Sequence, residues 1–170
     1  VAVLDLSDPA KPLYAEHRAD HQQNVGSVGK LVVVLALFQA LADALATTEI
    51  GQKLALTAAV AADWRAGQLD WQDTVPVTLV CGCPLKPELV PHRQVLQRGA
   101  KSPEGRARLL HAIVHIEFSA INLALDHAAR FRGMPEQYYA DWIGVAAEEA
   151  YHFTILRERL QSLGHDYGDF

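Results

Sequence analysis

Three residues have the types and spacing that metal chemistry needs. Glu149 and His152 form a Glu-x-x-His pair, which sets a carboxylate and an imidazole on one face one helical turn apart, and Glu117 lies upstream in a second helix-patterned stretch. By helical spacing Glu117 falls within a stripe of Leu110, Ile113, Val114, Ala120, Ile121, Ala124, Leu125 and Ala128. Glu149 falls in the centre of another, made of Trp142, Ile143, Ala146, Phe153, Leu156 and Leu160, with His152 on its edge. Ionised carboxylates facing one interior must be neutralised by a cation, an arginine or shared protons, and neither stripe carries Arg or Lys. A Glu from one helix with a Glu-x-x-His from its neighbour is half of the ligand set by which four-helix bundles hold a metal pair. Carboxylate and imidazole suit iron or manganese better than a thiol-seeking metal. The central position of Glu149 fits a bridging ligand and the edge position of His152 a terminal one. The plainer alternative is that Glu117 reaches out to the bundle end while Glu149 and His152 form an ordinary hydrogen-bonded pair.

Two helices must position these groups. Ser102-Pro103-Glu104 opens the first with a capping hydroxyl, a proline that needs no amide donor and an acid at the positive helix end. Gly133 stops it near Arg132; Pro135 starts the second, Gly164 ends that one, and so short a connection predicts an antiparallel hairpin. Upstream, the pattern predicts strands over 1–6 and around Leu13–Glu16, a helix over Ser27–Leu45 and a second over Ile50–Ala66 that Gly67 terminates. Pro76, Pro84, Pro87, Pro91 and Pro103 punctuate an extended connection between them and the hairpin. The expected fold is mainly α, divided into an N-terminal segment 1–46, a helix with its proline-rich connection over 47–100, and the hairpin over 101–170.

Other candidates are thinner. His111 and His115 stand four apart, a spacing that can hold zinc, but their face with Phe118 and Asn122 offers no third ligand, which favours structural roles. Cys81 and Cys83 flank a single glycine, too close for a metal knuckle and strained for a disulfide, so reduced loop thiols are expected. Ser27 and Lys30, three apart at a predicted helix start, have the nucleophile and base spacing of penicillin-recognising serine enzymes, against the simpler reading of a helix cap and a solvated lysine.

The 170 residues are 50% hydrophobic and 21% charged, the balance of a chain that buries a core. A net charge of -5 argues against a broad grip on nucleic acid. The apolar run Leu31–Leu37 is too short to span a bilayer and the opening Val-Ala-Val-Leu-Asp has no signal-peptide pattern, so the expectation is a cytoplasmic protein without a membrane span.

Longer motifs carry a resemblance. Leu109-Leu110-His111-Ala112 through His115-Ile116-Glu117, then Arg130-Phe131-Arg132-Gly133-Met134-Pro135, Tyr139-Ala140-Asp141-Trp142, Glu148-Glu149-Ala150-Tyr151-His152-Phe153 and Leu163-Gly164-His165-Asp166-Tyr167-Gly168-Asp169 look like an uncharacterised bacterial ferritin-like family. With Ala62-Asp63-Trp64-Arg65-Ala66-Gly67 and Pro87-Glu88-Leu89-Val90-Pro91 the likeness extends over most of 47–170, and the family is distantly similar to tRNA-modifying di-iron hydroxylases. The resemblance implies a ferritin-like bundle with Glu117, Glu149 and His152 as ligands of a di-iron or di-manganese centre, an oxidoreductase role, and tRNA as the one nucleic-acid substrate to expect. Members of that kind supply a second Glu and a second Glu-x-x-His from two further helices beyond the Tyr-Gly-Asp segment. One chain as given holds half a site, which a homodimer would complete. Residues 1–45 resemble the start of a β-lactamase-like serine hydrolase, although no Ser-x-Asn, Tyr-x-Asn or Lys-Thr-Gly follows. The two likenesses meet near Ala46-Thr47, so a truncated fusion without activity is the third alternative.

Overall fold

The computed structural model describes residues 2–5, 13–16, 35–72, 74, 76–91 and 100–170, and the fold is mainly α. Strands β1 (Ala2–Asp5) and β2 (Leu13–Glu16) pair antiparallel, with Ala2 opposite Glu16 and Asp5 opposite Leu13, as the alternation at the start predicts. The helix expected over Ser27–Leu45 is observed as α1, Leu37–Ala46; its expected first part, including Ser27 and Lys30, lies outside the described residues. Just before α1, the two-residue strand β3 (Leu35–Ala36) pairs in parallel with β4 (Leu69–Asp70), a pairing too short for the sequence to signal.

Leu37, Phe38, Leu41, Ala42, Ala44 and Leu45 are all buried, so α1 is a core helix rather than an amphipathic surface one. That burial removes water from the last carbonyls of the helix, which need other donors. Lys53, fully buried on α2 (Ile50–Arg65), supplies them: its Nζ donates to Ala44 O at 3.0 Å, Leu45 O at 2.8 Å and Asn122 Oδ1 at 2.8 Å. Gly82 N adds a bond to Leu45 O at 2.9 Å, and a side chain at this glycine would collide with the Ala46 carbonyl, so the proline-rich connection is seated on the end of α1.

The predicted hairpin is present. Helix α3 (Pro103–Arg130) begins as expected, with Ser102 Oγ accepting from Gly105 N at 3.0 Å, and α4 (Glu136–Gln161) follows after five residues, 131–135. Tyr139, fully buried, ties that turn down by donating to Phe131 O at 3.0 Å and accepting from Met134 N at 3.1 Å. Gly133 (φ 72°) lets the chain reverse there. Helix α1 packs on α3 and α2 on α4, so the hairpin is covered on one side by the first two helices. Val114, Phe118, Ile121 and Leu125 of α3 meet Ile143, Ala146, Phe153 and Leu160 of α4 within one core, each large side chain contributing ~1.5–3 kcal/mol of burial.

After α4 the tail folds back. Arg157 grips Asp166 through two bonds of 2.7 and 2.9 Å, Tyr167 is buried, and Gly168 N donates to His111 Nε2 at 2.9 Å. By length and composition α3 is apolar enough to cross a membrane, and 44% of its most apolar window is buried within the protein.

Candidate metal centre

The antiparallel pairing of α3 and α4 brings Glu117 across from Glu149 and His152. One ligand atom from each of the three lies within 4.8 Å of the others, and among the described residues this is the grouping of His, Cys, Asp and Glu able to hold a cation. His152 Nδ1 is 3.3 Å from Glu149 Oε2; the Glu149 side chain is 23% exposed and the imidazole 47%. Local sequence explains the arrangement: positions 149 and 152 are one turn apart, and the buried Ala146, Ala150 and Phe153 around them fix the rotation of α4.

The two carboxylates are not independent. A hydrogen bond from Glu117 to Glu149, followed by burial and the Glu149 charge, holds the Glu117 carboxyl above the usual range, against the pull of His152. The same hydrogen bond, aided by His152, holds Glu149 below it despite burial. The two carboxyls therefore titrate as an interacting pair, with Glu117 the harder of the two to ionise. A divalent cation would offset the charge of the two carboxylates, and the two oxygens and one nitrogen offered suit iron or manganese.

The structure corrects where this site sits. Of the expected stripe, Val114, Ile121, Ala124, Leu125 and Ala128 are buried, but the buried face extends to His111, Phe118 and Asn122 instead of Ile113, which is exposed, and leaves Glu117 half-buried at its margin. The reason is that α3 packs on α1 as well as α4, and Tyr167 from the tail covers the flank that carries His111 and His115. Those histidines are engaged there. His111 stacks on Tyr167 at 5.3 Å and accepts from Gly168, and His115 Nδ1 lies 2.8 Å from Tyr167 Oη, so their spacing serves the tail and not zinc. Cys81 and Cys83 are free and exposed, and burial followed by its neighbour Cys83 raises the Cys81 thiol. Sequence reasoning missed Lys53 and Tyr167; a lysine in an alanine-rich helix carries no mark of burial, whereas Tyr167 inside the quoted Tyr-Gly-Asp motif was a signal that went unused.

Comparison with known proteins agrees with the uncharacterised family and goes no further. An uncharacterized protein of Haemophilus influenzae is 44% identical over 108 residues, covering 59% of this chain and 38% of the relative, so the chain spans well under half of that relative's length. No solved structure matches the chain. The sequence profile of a family described as a protein of unknown function (DUF455) matches residues 46–170, the whole of α2 and the hairpin with its three candidate ligands, and the chain belongs to that family.

Proposed function

We propose that this is a metal-binding protein of ferritin-like type, in which Glu117, Glu149 and His152 hold iron or manganese. The observation that carries the reading is the carboxylate pair beside an imidazole, drawn from two helices into one cluster whose ligand atoms lie within 4.8 Å of one another. Glu149 lies between the other two and takes the bridging role; His152, the most exposed, is a terminal ligand. The hairpin is folded around the site by Tyr139 and the Arg157–Asp166 pair, none of them ligands, so the donors are in place before a cation arrives.

The resemblance of the sequence motifs to a family distantly similar to tRNA-modifying di-iron hydroxylases extends the proposal to a non-haem oxidoreductase. The substrate is left open, because a fold supports many chemistries. Anaerobic Fe(II) titration of the chain beside a Glu149→Ala, His152→Ala variant tests the metal reading. Wild type is expected to bind about one iron per chain, and the variant at least tenfold more weakly, because losing a group that merely supports a ligand already lowers affinity about 10–100-fold. Equal binding by both, or none by either, overturns it.

A further inference from the structure

The two cysteines of the proline-rich connection are held as a pair. Gly82 between them donates its N–H to Leu45 O at 2.9 Å, and a side chain there would collide with the carbonyls of Ala46 and Thr47, so the segment is fixed against the end of α1. The flanking thiols are both free. They lie close enough for Cys83 to act on Cys81 as a charge and as a hydrogen-bond partner. The buried ammonium of Lys53 interacts with both sulphurs, and a neighbouring cation favours the thiolate, the nucleophilic form of cysteine. Burial followed by Cys83 nevertheless holds the Cys81 thiol above its ordinary value, which suits it to act second rather than first. No third ligand joins them: among the described residues, the grouping of three able to hold a cation is Glu117, Glu149 and His152.

Two adjacent thiols without a third ligand are equipped for sulphur exchange, not for holding a metal. We propose that Cys81 and Cys83 form a reversible dithiol–disulfide site that exchanges with small-molecule disulfides of the glutathione class. One cysteine loses its proton to solvent and attacks a sulphur of the small disulfide; that S–S bond breaks, a mixed disulfide forms on the protein and one small thiolate leaves. The other cysteine loses its proton in turn, attacks the protein sulphur of the mixed disulfide and expels the second small thiolate, leaving Cys81 joined to Cys83. Two protein thiols are oxidised, one small disulfide is reduced to two thiols, and the two protons pass through solvent to the leaving thiolates. The spacing sets the direction of use. A ring closed across one residue is strained, and strained disulfides are the readily reduced, labile ones, so the bond serves exchange rather than permanent crosslinking. Its place beside Lys53, which joins the end of α1 to Asn122 of α3, sets the exchange against the joint between the first helices and the hairpin.

Incubating the chain in buffers of reduced and oxidised glutathione, quenching with acid and alkylating the remaining thiols for mass spectrometry tests this. The expected product is a disulfide within one chain, both thiols being lost together, that excess reduced glutathione opens again. Cys81→Ser and Cys83→Ser, each altered at an exposed position, should stop at the glutathione mixed disulfide and keep their helical circular dichroism. Adding urea releases the segment from α1, and the ratio of internal to mixed disulfide should then fall severalfold. Thiols that stay reduced, wild type that accumulates as a mixed disulfide or a disulfide-linked dimer, or an internal bond that excess reduced glutathione leaves closed overturns the inference. A ratio unchanged by urea overturns it as well, since the pair would then owe nothing to the fold. None of these outcomes touches the metal reading, whose ligands lie on α3 and α4.

Discussion

Replacing Lys53 by methionine keeps the buried aliphatic stem but removes the ammonium that closes the end of α1. Two opposing effects set the result. Burial lowers the Lys53 pKa from 10.5 to about 8, so the charged form carries ~3 kcal/mol of uncompensated desolvation in the folded state. Against this, Ala44 O and Asn122 Oδ1 lose their donor in a place water does not reach, at ~1–3 kcal/mol apiece, while Leu45 O keeps its bond from Gly82 N. With mid-range values, Lys53→Met should lower stability at pH 7 by about 1 kcal/mol, read from urea unfolding followed by circular dichroism. The pH dependence isolates the cause. Because the folded pKa lies below the unfolded one, the unfolded chain binds more protons between them, and wild-type stability gains as pH rises from about 8 to 10.5. The variant lacks this gain while sharing every other titrating group, so the gap between the two proteins should widen across that window, by up to ~3 kcal/mol. A variant as stable as wild type at pH 7, or a gap that stays flat with pH, refutes the account. The bond to Asn122 also joins α1 and α2 to α3 about a turn and a half beyond Glu117, so the same variant loosens the frame of the site.

Glu117→Gln should make the metal-free protein more heat-stable above pH 7, because an amide can donate to Glu149 without taking up a proton, and should abolish the added stability from Mn(II); thermal scans in chelator and in Mn(II) would show both, and a metal shift retained in the variant removes Glu117 from the ligand set. Asp166, which two bonds from Arg157 hold well below its ordinary 3.8, adds stability that is fully present above that value and fades as pH falls beneath it toward the lower folded value. Since the carboxylate is 40% exposed, Asp166→Asn should cost only about 1 kcal/mol at pH 7. Urea midpoints measured down to pH 2 should show the two proteins converging in acid, and a constant difference would reject the ion pair as the cause.

What could be read from sequence followed local chemistry. Ser102, Pro103, Gly133, Pro135 and Gly164 signal helix ends through their own backbone preferences, and α3 and α4 lie between them as expected. The grouping of Glu117, Glu149 and His152 was also readable, since helical periodicity and a short turn leave little freedom in an antiparallel hairpin. Rotation of the buried face was not. Ile113 and Val114 are equivalent to a periodicity argument until Tyr167 and α1 claim one side of α3, and those contacts come from distant parts of the chain. Lys53 was hidden for the same reason, because the acceptors that make its burial tolerable belong to α1 and α3.

The rotated face bears directly on the chemistry. Had Glu117 and Glu149 been fully enclosed between α3 and α4, ionising both would have been prohibitive, and a buried acid pair could have persisted as a neutral hydrogen-bonded unit. At the margin of the core, Glu149 is the easier and Glu117 the harder of the two to ionise, and the imidazole beside them is open to solvent. Phe118 and Phe153 are buried beneath the site, so a cation can reach the ligands without unpacking them. Because the helices are held by Tyr139, Lys53 and Arg157, binding there would be coupled to protonation rather than to folding of the chain.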